Sequence, residues 1–336
     1  MRAKPEGLEV GSVVDALRRG WGFDARDAEY AAVGGGSYHW QVADGSGTRR
    51  FVTVDDLDQK AWLGDTRDAA FDGLRRAFDS SRALRAAGLE FVVAPIPALG
   101  GESVLRLGAG HAIALFPFVE GEAGEFGYYE DDDDGRRAVG SMLAELHRAT
   151  AAVGQDVRTV GLDLPGRGHL EAALRELDVA WTGGPLSEPA RAAVRDSASE
   201  LADLLGLADR LAAAALEHGG SWVVTHGEPH AANVIRTAAG RLLVDWDTVA
   251  LAPPERDLWM LVAEGTDAVG LYARATGTRP DEAALDFFRL TWDLKDLAEY
   301  LNVLRGPHHE NDDTVSQYRA LTRCAAIRER WTAHLD

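Results

Sequence analysis

Up to Phe116 the chain alternates short apolar runs with glycine turns, and beyond Gly121 the apolar positions recur at helical spacing. Near the start, Val10, Val13, Val14 and Leu17 share one helical face. The segment Val33–Val42 carries a glycine turn between extended stretches, and Gly45 and Gly47 make a hairpin-like turn before the strand Phe51–Val54. Ala70, Leu74, Ala77, Ser81 and Leu84 repeat with a helical period, which predicts a helix over 67–87 with Gly88 as its stop. Strand-like runs follow at Phe91–Val93, Ser103–Leu107 and Ala112–Phe116. The first part is therefore expected to be a mostly antiparallel sheet with a helix.

After Phe116-Pro-Phe-Val-Glu-Gly121 the pattern changes. Val139, Met142, Leu143 and Leu146 form one apolar stripe, and further helices are predicted at about 168–181, 188–217, 255–274, 281–305 and 313–334. Residues 154–166 and Thr182–Pro185 read as loops. There is no internal repeat. The expectation is an α+β chain of two lobes, a sheet-containing lobe over 1–117 and a larger helical lobe over 118–336.

Composition narrows the function. Of 336 residues 46% are apolar, enough for a sizeable core, and no run of about 18 uninterrupted apolar residues suggests a membrane span. The opening Met-Arg-Ala-Lys-Pro-Glu-Gly leads into no apolar signal core, so a cytoplasmic protein without a membrane partner is expected. The single cysteine, Cys324, sits among Leu321, Ala325 and Ile327 and reads as a core thiol. The formal charge of −19, from 54 acidic against 35 basic residues, disfavours nucleic acid and favours a cationic small molecule. The acidic run Asp131–Asp134 reads as a solvated helix start, where carboxylates suit the helix dipole.

The candidate chemistry is concentrated in Thr225–Asp247. Glu228, Asn233 and Asp245 are two carboxylates and an amide on one loop and the strand after it. Phosphoryl transfer from a magnesium nucleotide needs such a set: a carboxylate to orient the attacking hydroxyl and accept its proton, and oxygen ligands for the metal. Magnesium keeps several waters, so two protein ligands suffice. His226 and His230 bracket Glu228, but Gly227 and Pro229 oppose the helix that a metalloprotease zinc motif requires. A zinc deaminase needs a later pair of cysteines, which the chain lacks. The loop Gly34-Gly35-Gly36-Ser37 lies between two expected strands, where glycines let backbone amides approach phosphates.

On these residues the chain resembles the aminoglycoside phosphotransferase family of small-molecule kinases. That family carries a His-Gly-Asp motif, an Asn five residues after the Asp, and a further Asp about a dozen residues on. Here the matches are His226-Gly227-Glu228, Asn233 and Asp245. The run Val244–Thr248 followed by Pro253–Asp257 is most similar to the spectinomycin-type branch. The resemblance implies a protein-kinase-like bilobal α+β fold that uses ATP (or GTP) and Mg2+. It implies Glu228 as catalytic base, Asn233 and Asp245 as metal ligands, and Gly34, Gly35, Gly36 and Ser37 as the nucleotide loop. Phe116, Phe118 and Val119 would form the hinge facing the base. The implied acceptor is a hydroxylated, cationic small molecule such as an aminoglycoside or aminocyclitol.

Two departures from the pattern change the picture. Glu228 replaces the usual Asp and is longer by one carbon–carbon bond, about 1.5 Å. Kinases also place a lysine on the third strand to pair with the phosphates, and Thr53 occupies that position here. Lys60, seven residues on, either reaches back from a tight turn or is an ordinary surface lysine; Arg49, Arg50 and Arg67 are the other cations at hand. Asp68 and Asp72 stand on the next helix, where a kinase keeps the strand lysine's carboxylate partner. Two alternatives share these residues: a kinase-like protein that binds nucleotide or ligand without useful turnover, and a kinase of another metabolite such as choline, homoserine or a thio-sugar.

Overall fold

The computed structural model describes residues 4–5, 7–34, 36–127, 129, 133–262 and 267–335, without the side chains of 324–326. Gly35, Asp131, Asp132 and the thiol of Cys324 therefore lie outside the described residues.

The chain opens with α1 (Val10–Trp21) and the strands β1 (Ala25–Ala31), β2 (Tyr38–Asp44) and β3 (Arg49–Asp56). A 3-10 turn at Leu57–Gln59 leads to α2 (Arg67–Ala86), β4 (Leu105–Leu107), β5 (His111–Pro117) and the short β6 (Glu122–Ala123). Then come α3 (Asp133–Arg148), α4 (Arg167–Arg175), α5 (Ser187–Asp196) and α6 (Ala198–His218). The strands β7 (Val223–Thr225), β8 (Val234–Thr237), β9 (Gly240–Leu243) and β10 (Ala250–Ala252) alternate with 3-10 turns at Ala231–Asn233 and Trp246–Thr248. The chain closes with α7 (Glu255–Leu258), α8 (Ala268–Thr276), α9 (Glu282–Arg305), α10 (Asp312–Leu321), α11 (Cys324–Arg330) and α12 (Thr332–Leu335).

Two compact units result: Met1–Val160 with Trp222–Arg279, and Gly161–Ser221 with Pro280–Asp336. The lobe boundary expected at 117–118 coincides with the end of β5, inside the first unit.

The first unit is built on an antiparallel sheet of order β1-β2-β3-β5-β4. Its interior strand β5, between β3 and β4, is buried on both faces. Ile113 and Leu115 join Val13, Leu17, Trp40 and Val52 on one side, while Ala112 and Ala114 join Leu57, Leu74 and Phe78 on the other. Thus α1 covers one face and α2 the other, which explains why β5 reads as an apolar run and not an alternation. α2 starts where expected because the Thr66 hydroxyl caps the Ala69 amide at 3.2 Å. The second unit is helical. Leu170, Leu204, Leu290, Leu294 and Leu301 from α4, α6 and α9 form its centre.

Several elements differ from expectation. Ala25–Ala31 is a strand, although its exposed and polar positions hide the alternation. Phe91–Val93 is not a strand: all three residues are buried, Pro95 and Pro97 follow, and the segment makes only a single parallel bridge from Val92 to Leu243. The helix expected over 168–181 ends at Arg175. The helix expected over 188–217 breaks at Ser197, whose φ of −117° leaves the helical region; the apolar stripes of α5 and α6 both face α9, so the period runs on across the break. The helices expected over 255–274 and 313–334 are likewise divided into shorter pieces.

Candidate active site

All described site residues of Thr225–Asp257 belong to the first unit. The loop after β7 is shaped by Gly227, whose φ is +99°. The positive φ calls for glycine, and a Cβ there would also lie 2.2 Å from the Arg256 guanidinium, which would have to shift. The backbone is clamped from behind. Asp257 accepts the amides of His226 (2.8 Å) and Gly227 (2.6 Å), and the Thr248 hydroxyl donates to the His226 carbonyl (2.7 Å).

His226 is a buried brace. Its Nδ1 accepts the Glu228 amide at 3.2 Å and its Nε2 donates to the Val244 carbonyl at 2.9 Å. Only the neutral, Nε2-protonated ring satisfies both partners. Burial agrees, since it pushes the imidazole below its ordinary pKa. One side chain thus ties the Glu228 loop to the residue before Asp245.

The β8–β9 hairpin completes the convergence. Val234 pairs with Leu243, and the Val244 amide donates to the Asn233 carbonyl at 3.0 Å, so Asn233 and Asp245 flank the hairpin's open end. Asn233 Nδ2 donates to the Glu228 carbonyl at 2.9 Å. With Nδ2 so engaged, Oδ1 is the side chain's acceptor, the kind of atom a hard cation takes. Glu228 itself is half-buried.

Asp245 is the one non-glycine residue with positive φ (65°) among the described residues. Holding a side chain there costs on the order of 1–2 kcal/mol. The carboxylate reaches solvent, but protein crowds it on most sides. That enclosure first, and then the charges of Asp247, Glu228 and Asp55, hold its carboxyl well above the ordinary range against the pull of Lys60. A divalent cation would relieve this repulsion, and the donor set of one amide oxygen and one carboxylate suits magnesium. No cage of three or more His, Cys, Asp or Glu exists among the described residues.

Lys60 is not a surface lysine. It is 1% exposed, with Nζ 2.6 Å from Asp247 Oδ2, 2.9 Å from Asp55 Oδ1 and 3.1 Å from Ser37 Oγ. Ser37 in turn donates to Asp55 at 2.6 Å. Burial works against the ammonium, yet Asp247, Asp55 and Asp245 outweigh it and keep Lys60 protonated. Of the glycine loop, Gly34 has φ +70°, Gly36 is exposed, and Ser37 is buried; Gly35 lies outside the described residues.

Thr53 does not join this cluster. It is half-buried, opposite His39 in register, with Oγ1 3.4 Å from His39 Nδ1. Burial first, with Lys60 adding to it, pushes that histidine down to about 3, so it supplies no charge at neutral pH. The hinge residues continue from β5: Phe116 packs edge-on against Phe78, Phe118 lies under the Arg49 guanidinium at 3.5 Å, and Val119 is half-buried. They lead into β6, which pairs with β8 beside Asn233. Asp55 and Asp257 escaped the sequence reading as site members; Asp247, read as facing either the substrate or the loop backbone, instead holds Lys60. For Asp55 the available signal was an acidic residue near a strand end beside apolar neighbours.

The family described as phosphotransferase enzyme family matches residues 31–305. Protein StrN of Streptomyces griseus is 30% identical over 269 residues, 78% of this chain and 80% of StrN. Among solved structures, spectinomycin phosphotransferase in complex with ADP and spectinomycin has a TM-score of 0.70 at 17% identity, over 97% of this chain and 100% of that one. A microcompartment-associated aminopropanol kinase gives 0.61 at 17% identity, over 97% and 98%. An ethanolamine kinase of Plasmodium vivax gives 0.55 at 12%, over 90% and 83%. At these identities the structures establish the α+β fold.

Proposed function

The chain belongs to the phosphotransferase enzyme family, whose members phosphorylate hydroxyl groups of small molecules, and on that premise we propose that it transfers the γ-phosphate of a magnesium nucleotide to an aminoglycoside- or aminocyclitol-like acceptor. The observation that carries this reading is the convergence on Val244. Its carbonyl is held by His226 of the Glu228 loop, and its amide by the Asn233 carbonyl, one residue before Asp245.

In the proposed reaction the Glu228 carboxylate hydrogen-bonds the acceptor hydroxyl and takes its proton as the oxygen attacks the γ-phosphorus. A new O–P bond forms, the bond from the γ-phosphorus to the bridging oxygen breaks, and the nucleoside diphosphate leaves with that electron pair. Asn233 Oδ1 and the Asp245 carboxylate would hold Mg2+, which neutralises the phosphate charge when bound. The amides of Gly34–Ser37 would approach the phosphates, and Phe116, Phe118 and Val119 would contact the base. Residues 1–117 serve as the nucleotide lobe and 118–336 as the catalytic and acceptor lobe.

A cationic acceptor is supported by the formal charge of −19 and by the neighbours named for ethanolamine and aminopropanol, both amine-bearing alcohols. The same observation favours simple amino alcohols as the second reading. Incubation with magnesium ATP or GTP and a panel of aminocyclitols and amino alcohols tests both. Phosphorylated product absent with wild type, or equal to that of Glu228→Ala, would remove the proposal.

A further inference from the structure

We propose that Lys60, delivered from the turn after β3, is the cation that pairs with the nucleotide's phosphates, and that Asp247 and Asp55 position it. The inference rests on the phosphotransferase reading above and adds to it the origin of the missing positive charge. In this chain the strand position holds Thr53, a neutral residue engaged with a neutral His39. Some other group must then face the phosphates.

Four cations stand near enough in sequence, and their contacts separate them. Arg49 lies over the Phe118 ring and donates to Gln41 at 3.3 Å. Arg50, half-buried, donates to the Arg49 carbonyl at 2.9 Å. Arg67 is bidentate to Asp58 at 2.7 and 2.6 Å, also exposed. Lys60 alone of the four is buried beneath the glycine loop: a Cβ built on Gly36 would stand 3.6 Å from its Nζ. Its side chain bridges from the first sheet to Asp247, two residues past Asp245.

The anchoring differs from the helix-borne carboxylate of the kinase pattern. On α2, Asp68 pairs with Arg106 at 2.5 Å and Asp72 with Arg75 at 3.7 Å, both at the surface. The carboxylates that hold Lys60 come instead from β3 itself and from the turn after β9. The ammonium donates to Asp247 and Ser37 and is ion-paired with Asp55 at 2.9 Å, so three oxygens already surround it. One contact must be exchanged for a phosphate oxygen. The Ser37 hydroxyl is the easiest to give up, because it is neutral, its contact is the longest, and it keeps its own hydrogen bond to Asp55. The loop that would carry the phosphates therefore also carries the group that yields.

Titration calorimetry with magnesium ADP tests this on the whole protein. Wild type binds. Lys60→Met, checked for folding by thermal melting, binds about tenfold to a hundredfold more weakly, the loss expected for one charge-assisted hydrogen bond. The double variant Thr53→Lys with Lys60→Met regains affinity, which no purely structural role of Lys60 explains. Folded Lys60→Met that binds within about twofold of wild type overturns the role of Lys60. Wild type that neither binds magnesium ADP nor forms product overturns the phosphotransferase reading instead. Should Lys60→Met not fold, an acyl-phosphate nucleotide probe applied to wild type decides: its acyl group passes to a nearby lysine amine as an amide, releasing the nucleotide. Label on Lys60 that excess magnesium ADP suppresses supports the proposal; label confined to Lys4 or Lys295 overturns it.

Discussion

Asp257 accepts the backbone N–H of Gly227 at 2.6 Å across 30 positions of sequence, and its second oxygen accepts that of His226. The same carboxylate receives His147 Nε2 at 3.1 Å, while His147 Nδ1 meets the Tyr272 hydroxyl at 2.8 Å. A fully buried acid thus organises the loop that carries Glu228 by gripping the backbone of the two residues before it.

Burial alone would raise the Asp257 carboxyl, but the His147 hydrogen bond and the charges of His147 and Arg256 bring it below the ordinary 3.8. A depressed folded value contributes stability that is present above the unfolded value and lost as pH falls through the folded one. Asp257→Asn should therefore cost about 3 kcal/mol or more near pH 7, the range for breaking a buried charged network. The gap to wild type should narrow below about pH 4. Melting curves against pH check this; a gap that widens in acid would contradict the assignment.

Gly227→Ala meets two obstacles, the φ of +99° and the Arg256 guanidinium 2.2 Å from the new methyl carbon. We expect a loss of several kcal/mol if the loop holds, or a displaced loop with turnover down by about a hundredfold. An alanine variant with both the melting temperature and kcat of wild type would show that the loop is looser than its hydrogen bonds imply.

Glu228→Gln preserves size and removes the proposed proton acceptor. It should lower kcat by about 10²- to 10⁴-fold with nucleotide KM nearly unchanged. Glu228→Asp should also lose roughly a hundredfold, because the Glu228 amide is fixed to His226 and the shortened carboxylate cannot follow by about 1.5 Å. Full activity in Glu228→Gln would assign the base elsewhere.

Asp245→Asn separates function from stability. Asparagine tolerates positive φ, and removing the charge relieves repulsion from Asp247 and Glu228. The melting temperature without metal should stay level or rise, while turnover falls more than about a hundredfold with the loss of the proposed metal ligand. A lower melting temperature with activity intact would reverse the assignment.

The segment from His226 to Asp245 was legible because its chemistry is local. A glycine with positive φ, a carboxylate and an amide within one loop, and a two-strand hairpin leave few ways to arrange the set. Helix α2 and the central strands were legible for a similar reason, since capping and apolar period act over neighbouring residues. The strand Ala25–Ala31 was not legible, because only one of its residues is buried and its alternation carries no signal. Phe91–Val93 misled because burial on all sides looks the same in sequence whether or not a ladder forms.

What the chain's order of residues determined by itself was the family of chemistry, held in short-range spacing that any correct fold must respect. What only the tertiary structure decided was the company each charge keeps. Lys60 and Asp247 are 187 positions apart, and Asp257 reaches back 30 and 31 to two amides. A buried ion must find its counter-charge wherever the packed core leaves room, and that distance in space has no trace in distance along the chain.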